Sequence, residues 1–286
     1  MSQVHTIGVV GAGTIGNGLA VDLARFGYDV ILNDLTDKEL EQSAQTIRSD
    51  LRTYRMLVPE YREADDEDIL RRITFSSNLD AMVDADFIIE NIVEDYDAKA
   101  RLYEQLSTIC RNETFYAANT SCISITRLAN HIKDPEKMLG MHFMNPVPVK
   151  KIVEMIRAER TSEETIETAL ALVKRLGKDH VLVKDFPGFI SNRVMMLAVN
   201  ECAFILQDGV AEAADVDKVF RLGFGHNMGP LATADLIGLD TVLNSIRVLF
   251  EEYKDPKFRP CPLLQKMVDA GYLGRKSGRG FFKYSK

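Results

Sequence analysis

The sequence predicts an α/β fold in which a doubly wound, mostly parallel sheet is followed by a smaller all-helical C-terminal domain. Short apolar runs of β-type residues alternate with helical patterns up to about residue 186, and this alternation is typical of a parallel sheet. From about residue 187 onward the patterns are helical only. A glycine-rich turn at residues 11–16, directly after the first run, adds the sequence context of a βαβ unit.

The elements of the N-terminal domain are predicted from apolar periodicity. Strands are expected at 5–10, 29–34, 86–92, 114–119, 137–143, 150–156 and 180–185. A helix follows the glycine turn and stops at Gly27, and a charged segment at about 37–72 predicts a helix pair that projects from the sheet. Thr161 and Glu164 have the spacing of a capping box, which predicts a helix that ends at Gly177.

A domain boundary is predicted at Phe186, because Pro187 and Gly188 interrupt the pattern and no convincing strand follows. The expected domains are therefore residues 1–186 and 187–286. Helices of the second domain are predicted at about 188–208, 215–223, 229–252 and 260–271. Their apolar faces exceed what one small layer can bury, so we expect them both to pack on one another and to form a homodimer interface.

Composition excludes several classes of protein. The chain has 286 residues, which suits two domains with a full hydrophobic core, and its net charge of −7 gives no basic surface for nucleic acid. No apolar span reaches about 18 residues, and residues 1–5 lead directly into the first strand, so we expect a cytoplasmic enzyme without a membrane anchor. The cysteines are scattered without a C-x-x-C pair, so neither disulfides nor a metal site are expected.

The glycine-rich turn predicts a dinucleotide-binding site. Its sequence is Gly11-Ala12-Gly13-Thr14-Ile15-Gly16. The first glycine allows a tight turn from strand to helix, the second lets the backbone approach a pyrophosphate, and the third permits close packing of helix on strand. Asp34 ends the next strand about 20 residues later, where a carboxylate binds a ribose 2′-hydroxyl and repels a 2′-phosphate. We therefore expect NAD rather than NADP, with a purely structural glycine turn as the alternative.

Polar residues near the ends of predicted strands are the candidates for chemistry, since ligands bind at the carboxyl edge of an α/β sheet. His142 ends one strand, and Ser121 follows another. Glu154 lies within an apolar strand, where an acid is costly unless it has a partner. A carboxylate bonded to imidazole gives a general base near neutral pH, so we predict that Glu154 pairs with His142. The alternatives are a purely structural pair, and a Ser121 that only caps a helix at 123–131.

Several motifs, in order along the whole chain, resemble the L-3-hydroxyacyl-CoA dehydrogenase family, particularly its short bacterial 3-hydroxybutyryl-CoA type. They are GAGTIG at 11–16, NTSCISIT at 119–126, GMHFMNPVPVKKIVE at 140–154, DFPGFISNR at 185–193, GFGHNMGPLATADLIGLD at 223–240 and GRKSGRGFFKY at 274–284. The resemblance implies a Rossmann-type NAD-binding domain and a helical dimerisation domain. It also implies an oxidoreductase of fatty acid metabolism that transfers hydride between NAD and C3 of a 3-hydroxyacyl thioester.

The resemblance further implies roles for individual residues by their positions in the motifs. His142 corresponds to the catalytic base and Glu154 to its acidic partner. Ser121 and Asn192 correspond to residues that hydrogen-bond the reacting oxygens of the substrate. Cofactor contacts beyond the glycine turn and Asp34 are implied for Glu94, Lys99, Ser121, Asn145 and Lys276.

Three positions depart from the family's pattern. Asp50 and Leu57 stand where the family commonly has a serine and a lysine that contact CoA, although arginines on neighbouring turns (Arg48, Arg52 and Arg55) could compensate. A hydroxyacyl group tethered to an acyl carrier protein is therefore an alternative substrate, and a non-catalytic NAD-binding structural protein is a further alternative. Cys122 replaces a serine beside Ser121, a change expected to reshape the acyl pocket without affecting proton transfer.

Overall fold

The computed structural model describes residues 4–284. The chain divides into two compact units, Met1–Asp185 and Phe186–Lys286, and each has its own hydrophobic core. The first unit contains one sheet with its helices, and the second is built mainly of helices. Within residues 4–284, no helix has the length and apolar character needed to cross a membrane.

The sheet of the first unit has eight strands. They are β1 (Thr6–Val10), β2 (Asp29–Asn33), β3 (Ile73–Ser76), β4 (Phe87–Glu90), β5 (Phe115–Ala118), β6 (Met138–Phe143), β7 (Ile152–Arg157) and β8 (Asp179–Lys184). Their order is β3-β2-β1-β4-β5-β6-β7-β8, and every pair is parallel except β6 with β7. The predicted doubly wound, mostly parallel sheet is confirmed.

The strand order reverses between β1 and β4, which pair in parallel at the centre of the sheet. A reversal of this kind leaves a crevice beyond the carboxyl ends of the strands, and that crevice is where such sheets bind nucleotides. The glycine turn leaves β1 at this point. The Asn91 backbone N–H, just after β4, donates to the Val10 carbonyl at 2.6 Å. The fold thus places the two segments that follow β1 and β4 side by side.

The pairing of β6 with β7 is antiparallel, and its register sets His142 directly opposite Glu154. Residues 144–151 connect the two strands, which is too short a connection for the crossover that a parallel pair needs. Side chains directly opposite one another on neighbouring strands project to the same face of a sheet. The fold therefore brings together the histidine and the acid that the sequence predicted to pair.

The strand β3 was not among the predicted strands. It lies at the edge of the sheet, and of its residues only Ile73 is buried. An edge strand with one buried position produces no apolar run, so periodicity did not reveal it.

The described residues of the first unit form six α-helices. They are α1 (Thr14–Arg25), α2 (Asp37–Leu57), α3 (Asp66–Arg71), α4 (Tyr96–Ile109), α5 (Ile125–Ala129) and α6 (Glu163–Arg175). The charged segment at 37–72 forms α2 and α3, separated by a short 3-10 turn. The helix α2 begins with a reciprocal capping box between Thr36 and Glu39.

The capping box predicted at Thr161 and Glu164 is wrong. The residue that caps α6 is Ser162, whose hydroxyl accepts a hydrogen bond from the Thr165 N–H at 3.2 Å. The Thr161 hydroxyl instead donates to the Met138 carbonyl at 2.6 Å and accepts from the Ala158 N–H. The buried carbonyl at the start of β6 thus takes the hydroxyl that the sequence pattern assigned to the helix.

The second unit contains five α-helices within its described residues. They are α7 (Ser191–Gln207), α8 (Ala213–Gly223), α9 (Pro230–Ile237), α10 (Leu239–Tyr253) and α11 (Pro262–Asp269). The single helix predicted at 229–252 is wrong, because the chain breaks at Gly238, which has φ of +105°. That backbone conformation lies outside the helical region and is one that glycine adopts with little cost.

Candidate active site

The glycine turn has the geometry of a nucleotide cradle. Gly11 has φ of +99°, and a Cβ at this position would lie 2.7 Å from the Asn91 carbonyl oxygen. A Cβ at Gly16 would lie 1.8 Å from the Gly11 carbonyl oxygen, so the helix can approach the strand only because residue 16 has no side chain. A Cβ at Gly13, in contrast, would meet no heavy atom within 4 Å among the described residues. The space over Gly13 is therefore open on the side that a ligand would approach.

The turn also presents the N-terminus of α1. That helix begins at Thr14 with Gly13 as its N-cap, and its first turn carries no acidic side chain. Unpaired backbone N–H groups at such an end, together with the helix dipole, favour a bound anion. The residues present therefore fit the pyrophosphate of a dinucleotide, which would lie over Gly13 at this helix end.

Asp34 lies just beyond β2, beside the turn. One carboxylate oxygen accepts from the Ala12 N–H at 2.7 Å, and the other accepts from the Leu35 N–H at 2.7 Å. These bonds hold the carboxylate against the glycine turn, in the place where a ribose would follow the pyrophosphate. The geometry fits the predicted interaction with ribose hydroxyls.

His142 and Glu154 form a buried pair between β6 and β7. The distance from His142 Nδ1 to Glu154 Oε2 is 2.8 Å, and the residues are 8% and 3% exposed. Because a carboxylate only accepts hydrogen bonds, Nδ1 carries the proton in this pair. The other ring nitrogen, Nε2, lies 3.2 Å from the Ser121 hydroxyl oxygen. The imidazole is thus held in one tautomer, with the lone pair of Nε2 directed toward Ser121.

Ser121 lies in the loop between β5 and α5, and it is not the cap of that helix. The cap is Ser124, whose hydroxyl accepts from the Arg127 N–H. Ser121 is held instead by Glu94, because its N–H donates to Glu94 Oε1 at 2.8 Å. The same oxygen accepts from the Thr120 hydroxyl at 2.6 Å and from the Cys122 N–H at 3.0 Å. The Glu94 carboxylate therefore fixes the loop that carries the serine.

Lys99 lies beneath this loop rather than at its surface. Its side chain is wholly buried, and its ammonium donates to Glu90 Oε1 at 2.5 Å. Its other contacts are the carbonyls of Ile92 at 3.4 Å and Asn119 at 3.3 Å. The direct cofactor contact that the resemblance implies for Lys99 therefore stays a prediction, at a residue whose side chain is buried beside the loop of Ser121.

Three polar residues near the site were missed by sequence reasoning. Glu90 is wholly buried at the end of β4, and Asn91 and Asn119 follow β4 and β5. Asn119 links the strands, since its Oδ1 accepts from the Phe143 N–H at 3.1 Å and its Nδ2 donates to Asn91 Oδ1 at 2.7 Å. The sequence could have revealed Glu90, because an acid that ends the apolar run Phe87–Ile89 needs a buried partner as much as Glu154 does.

The remaining predicted site residues lie in different parts of the chain. Asn145 is exposed and precedes a cis peptide bond to Pro146, in the connection between β6 and β7. Asn192 lies in the first turn of α7 in the second unit. Lys276 also belongs to the second unit, and its ammonium lies 2.6 Å from Asp240 Oδ1. The structure thus brings His142, Glu154, Ser121 and Glu94 together within the first unit.

The positions that depart from the family's CoA contacts both lie on α2. Leu57 is 57% exposed, and Asp50 hydrogen-bonds Tyr54, while burial raises the pKa of the Asp50 carboxyl. Two of the arginines that could compensate are engaged with the acidic segment that follows. Arg48 pairs with Glu67 at 3.3 Å, and Arg55 pairs with Asp66 at 2.8 Å. The same ion pairs neutralise part of the acidic charge near this helix.

A dinucleotide cradle at the switch point of the sheet and a buried histidine–carboxylate pair at the same carboxyl edge define a nicotinamide-dependent oxidoreductase. Comparison with known proteins agrees with this class. Residues 6–186 match the family model of the 3-hydroxyacyl-CoA dehydrogenase NAD binding domain, and residues 188–284 match that of the 3-hydroxyacyl-CoA dehydrogenase C-terminal domain.

Individual relatives are similar over nearly the whole chain. A probable 3-hydroxybutyryl-CoA dehydrogenase of Bacillus subtilis is 43% identical, with 99% of this chain and 98% of that protein covered. The 3-hydroxybutyryl-CoA dehydrogenase of Bradyrhizobium diazoefficiens is 42% identical, with 98% and 96% covered. The crystal structure of (S)-3-hydroxybutyryl-CoA dehydrogenase from Ralstonia eutropha matches with a TM-score of 0.92 and 41% identity, covering 99% of this chain and 100% of that one.

The chain belongs to the 3-hydroxyacyl-CoA dehydrogenase family, and its N-terminal domain is the NAD-binding domain of that family. The predicted family, fold class, NAD cofactor and enzyme class are confirmed.

Proposed function

We propose that this protein interconverts a 3-hydroxyacyl-CoA and the corresponding 3-ketoacyl-CoA with NAD as the hydride carrier, and that a short acyl chain such as 3-hydroxybutyryl is its substrate. The observation that carries the proposal is the 2.8 Å contact between His142 Nδ1 and Glu154 Oε2 in a sheet that belongs to an NAD-binding domain. The names of relatives above 40% identity over the whole chain support the short acyl chain.

His142 is the proton-transfer group in this proposal. In the oxidative direction Nε2 accepts the proton of the C3 hydroxyl while C3 loses hydride, and in the reverse direction the imidazolium returns that proton to the keto oxygen. NAD, when bound, supplies the hydride acceptor, and NADH the donor. Glu154 keeps Nδ1 protonated and stabilises the imidazolium that forms, as a buried carboxylate beside imidazole does.

Ser121 orients the substrate in this proposal. Its hydroxyl lies 3.2 Å from Nε2, so a substrate oxygen that contacts both groups is aligned with the nitrogen that accepts the alcohol proton or returns it to the keto oxygen. Asn192 is proposed as a second hydrogen-bond donor to the substrate oxygens, on the basis of its position in the family's motif. Proposed cofactor ligands are the backbone of residues 11–16 together with Asp34, Glu94, Lys99, Ser121, Asn145 and Lys276.

The proposed substrate carries CoA, although Asp50 and Leu57 provide none of the contacts usual in the family. Arg52 lies on the exposed side of α2 and remains available for a phosphate, whereas Arg48 and Arg55 are held in ion pairs. We therefore expect the nucleotide part of CoA to contribute little binding energy. A substrate bound to an acyl carrier protein is not proposed, and the test below includes it as a possible result.

The test is NADH oxidation, followed by absorbance, with acetoacetyl thioesters of CoA, pantetheine and acyl carrier protein. Turnover of the CoA thioester is expected, and turnover of the pantetheine thioester at a similar kcat/KM would show that nucleotide contacts are weak. Strong preference for the carrier-bound thioester would contradict the CoA proposal. NADH binding without turnover of any thioester would contradict the proposed enzymatic activity and favour a structural NAD-binding protein.

We also propose a homodimer through the second unit. That unit leaves large apolar side chains exposed, among them Leu222 at 76% and Phe224 at 68%. Contiguous exposed apolar surface is typical of interaction sites, and cyclic homodimers are the commonest soluble oligomers.

A further inference from the structure

A buried lysine contacts the connection between β6 and β7 at two points. Lys178 directly precedes β8, and its side chain is 3% exposed. Its ammonium donates to the Val147 carbonyl at 2.7 Å and to the Lys150 carbonyl at 2.9 Å. This connection, residues 144–151, joins the strands whose register sets His142 opposite Glu154. The ammonium therefore holds the backbone of the segment between the two strands of the proton-transfer pair.

The same ammonium is paired with α1, the helix that follows the glycine turn. Asp22 Oδ2 lies 2.9 Å from Lys178 Nζ, and the Asp22 side chain is 1% exposed. Asp22 lies four residues after Gly18, and residues four apart lie on the same face of a helix. A Cβ at Gly18 would lie 3.4 Å from both Val147 Cβ and Pro148 Cδ, so this face of α1 lies close to the connection. The ion pair thus joins α1 to the connection where the two pack.

The Lys178–Asp22 pair has no part in the proposed proton transfer, and its burial is costly. Removal of charges from water is compensated only when the partner and the remaining hydrogen bonds are in place. Lys178 has the two carbonyls of the connection, and Asp22 Oδ1 accepts from the Tyr61 hydroxyl at 2.9 Å. An apolar side chain would fill the same space without fixing the carbonyls, because only a hydrogen bond sets their distance and direction.

The connection carries Asn145, one of the proposed cofactor ligands. Asn145 is followed by Pro146, whose carbonyl accepts from the N–H groups of Val149 and Lys150 at 3.0 Å each. The segment therefore turns directly after Asn145, and Lys178 binds the carbonyls within that turn. The other partner of the ion pair belongs to α1, whose N-terminus fits the pyrophosphate. Lys178 thus links the two elements that would contact the cofactor from different sides of the sequence.

We propose that Lys178 is a positioning residue: it fixes the connection between β6 and β7 against α1, so that Asn145 lies at the correct distance from the cofactor that α1 binds. The inference rests on the proposed function, in which the cofactor lies over the N-terminus of α1 and Asn145 contacts it. Displacement of a contacting group by about 1 Å can lower a rate by about 100-fold, so loss of this link has a kinetic effect.

The test uses variants that separate the link from the buried charge. Lys178→Met removes the ammonium with little change of side-chain length, but it leaves the Asp22 carboxylate buried without this cation, so a lower thermal midpoint is expected. The double variant Asp22→Asn/Lys178→Met removes both charges and is expected to recover most of the midpoint. Tyr61→Phe is the matched control, because it removes another hydrogen bond of Asp22 and leaves the contacts between Lys178 and the connection.

The expected result is a loss of activity that depends on Asn145. With saturating acetoacetyl-CoA, the kcat/KM for NADH should fall about tenfold or more in the double variant and stay within about threefold of wild type in Tyr61→Phe. Asn145→Ala should cost about tenfold or more in the wild-type chain but less than about threefold in the double variant, since residues that act together are not additive. Asp34→Ser should cost the same factor in both chains, because Asp34 is bound by the N–H groups of Ala12 and Leu35 rather than by the connection.

Three results would overturn the inference. A double variant with the wild-type kcat/KM for NADH would limit the ion pair to a role in stability. An Asn145→Ala change that costs the same factor in both chains would show that Lys178 does not act through Asn145. An Asp34→Ser change that also loses its effect in the double variant would show a general disturbance of the cofactor site. Failure of the proposed function would appear instead as a wild-type chain that does not turn over acetoacetyl-CoA.

Discussion

Two glutamates in the strands of the sheet have different partners, and the partner decides the chemistry of each. Glu154 pairs with an imidazole, which can take up and release a proton near neutral pH. Glu90 pairs with the wholly buried ammonium of Lys99, which also contacts the carbonyls of Ile92 and Asn119, so this pair holds structure in place. The partner residue thus distinguishes the proton-transfer pair from the structural pair.

At the residue scale, Asp34 is expected to set the preference for NAD over NADP. Its carboxylate already accepts from the Ala12 N–H, and serine at this position would keep an acceptor without the charge. The variant Asp34→Ser should lower the ratio of kcat/KM for NADH to that for NADPH by about tenfold or more, because a charged hydrogen bond to the ribose is worth about 1.5–3 kcal/mol. Steady-state kinetics with both cofactors measure the ratio. An unchanged ratio would show that Asp34 does not contact the ribose.

Much of the site could be predicted from single residues, because each obeys a local rule. Because an acid in an apolar strand needs a partner, the position of Glu154 predicted its pairing, and the glycine spacing predicted the nucleotide cradle. Lys99 could not be placed in this way, since a lysine in a helix is solvated by default and nothing in its neighbours shows that its side chain turns inward. Its burial depends on Glu90 and Asn119, which belong to two other elements.

At the scale of elements, the junction of β1, the glycine turn and α1 carries the cofactor. Gly16 lets α1 approach the Gly11 carbonyl, and Gly13 leaves the N-terminus of the helix open. The two glycines therefore have separate purposes, one in packing and the other in access to the ligand.

The two glycines are expected to respond differently to substitution by alanine. Gly13→Ala should leave the thermal midpoint unchanged, because Gly13 has φ of −77° and its Cβ would meet no described atom, but it should weaken NADH binding by about tenfold or more. Gly16→Ala should lower both the midpoint and the affinity, because its Cβ would lie 1.8 Å from a backbone oxygen. Thermal unfolding and NADH fluorescence give the two quantities. Equal effects of the two variants on stability would contradict this assignment.

The elements that the sequence did not predict are those fixed by tertiary contacts. The strand β3 has only one buried residue and is held by its backbone pairing with β2. The break at Gly238 falls inside a continuous apolar pattern, and glycine within a helical pattern is often tolerated, so periodicity alone did not show it. The start of α6 shifted by one residue because Thr161 is used by the neighbouring strand.

At the scale of the whole molecule, the second unit differs from the first in what it leaves at its surface. Its core is formed mainly by α7, α10 and α11, which bury Val199, Val242 and Ile246 among others. The end of α8 and the residue after it, in contrast, expose Val219, Leu222 and Phe224. The predicted apolar faces of α7 and α10 therefore pack largely on one another, and the exposed apolar side chains of α8 are the surface that we propose for the dimer.

The proposed dimer interface is tested by introducing acidic side chains into this exposed apolar surface. The double variant Leu222→Asp/Phe224→Asp should be monomeric in sedimentation at a concentration where the wild-type chain is dimeric, because burial of two carboxylates in an apolar interface is costly. Val83→Asp is the control, since Val83 is an exposed apolar residue of the first unit. A monomeric wild-type chain, or a double variant that remains dimeric, would contradict an interface at this surface.

Proton transfer by His142 is tested by the kcat of His142→Gln with NADH and acetoacetyl-CoA, measured beside the Kd of this variant for NADH. We expect a loss of kcat of about 10²- to 10⁴-fold, with a Kd for NADH close to wild type, because the imidazole transfers the proton while the glycine turn binds the cofactor. A variant that retains more than about a tenth of the wild-type kcat would contradict proton transfer by His142.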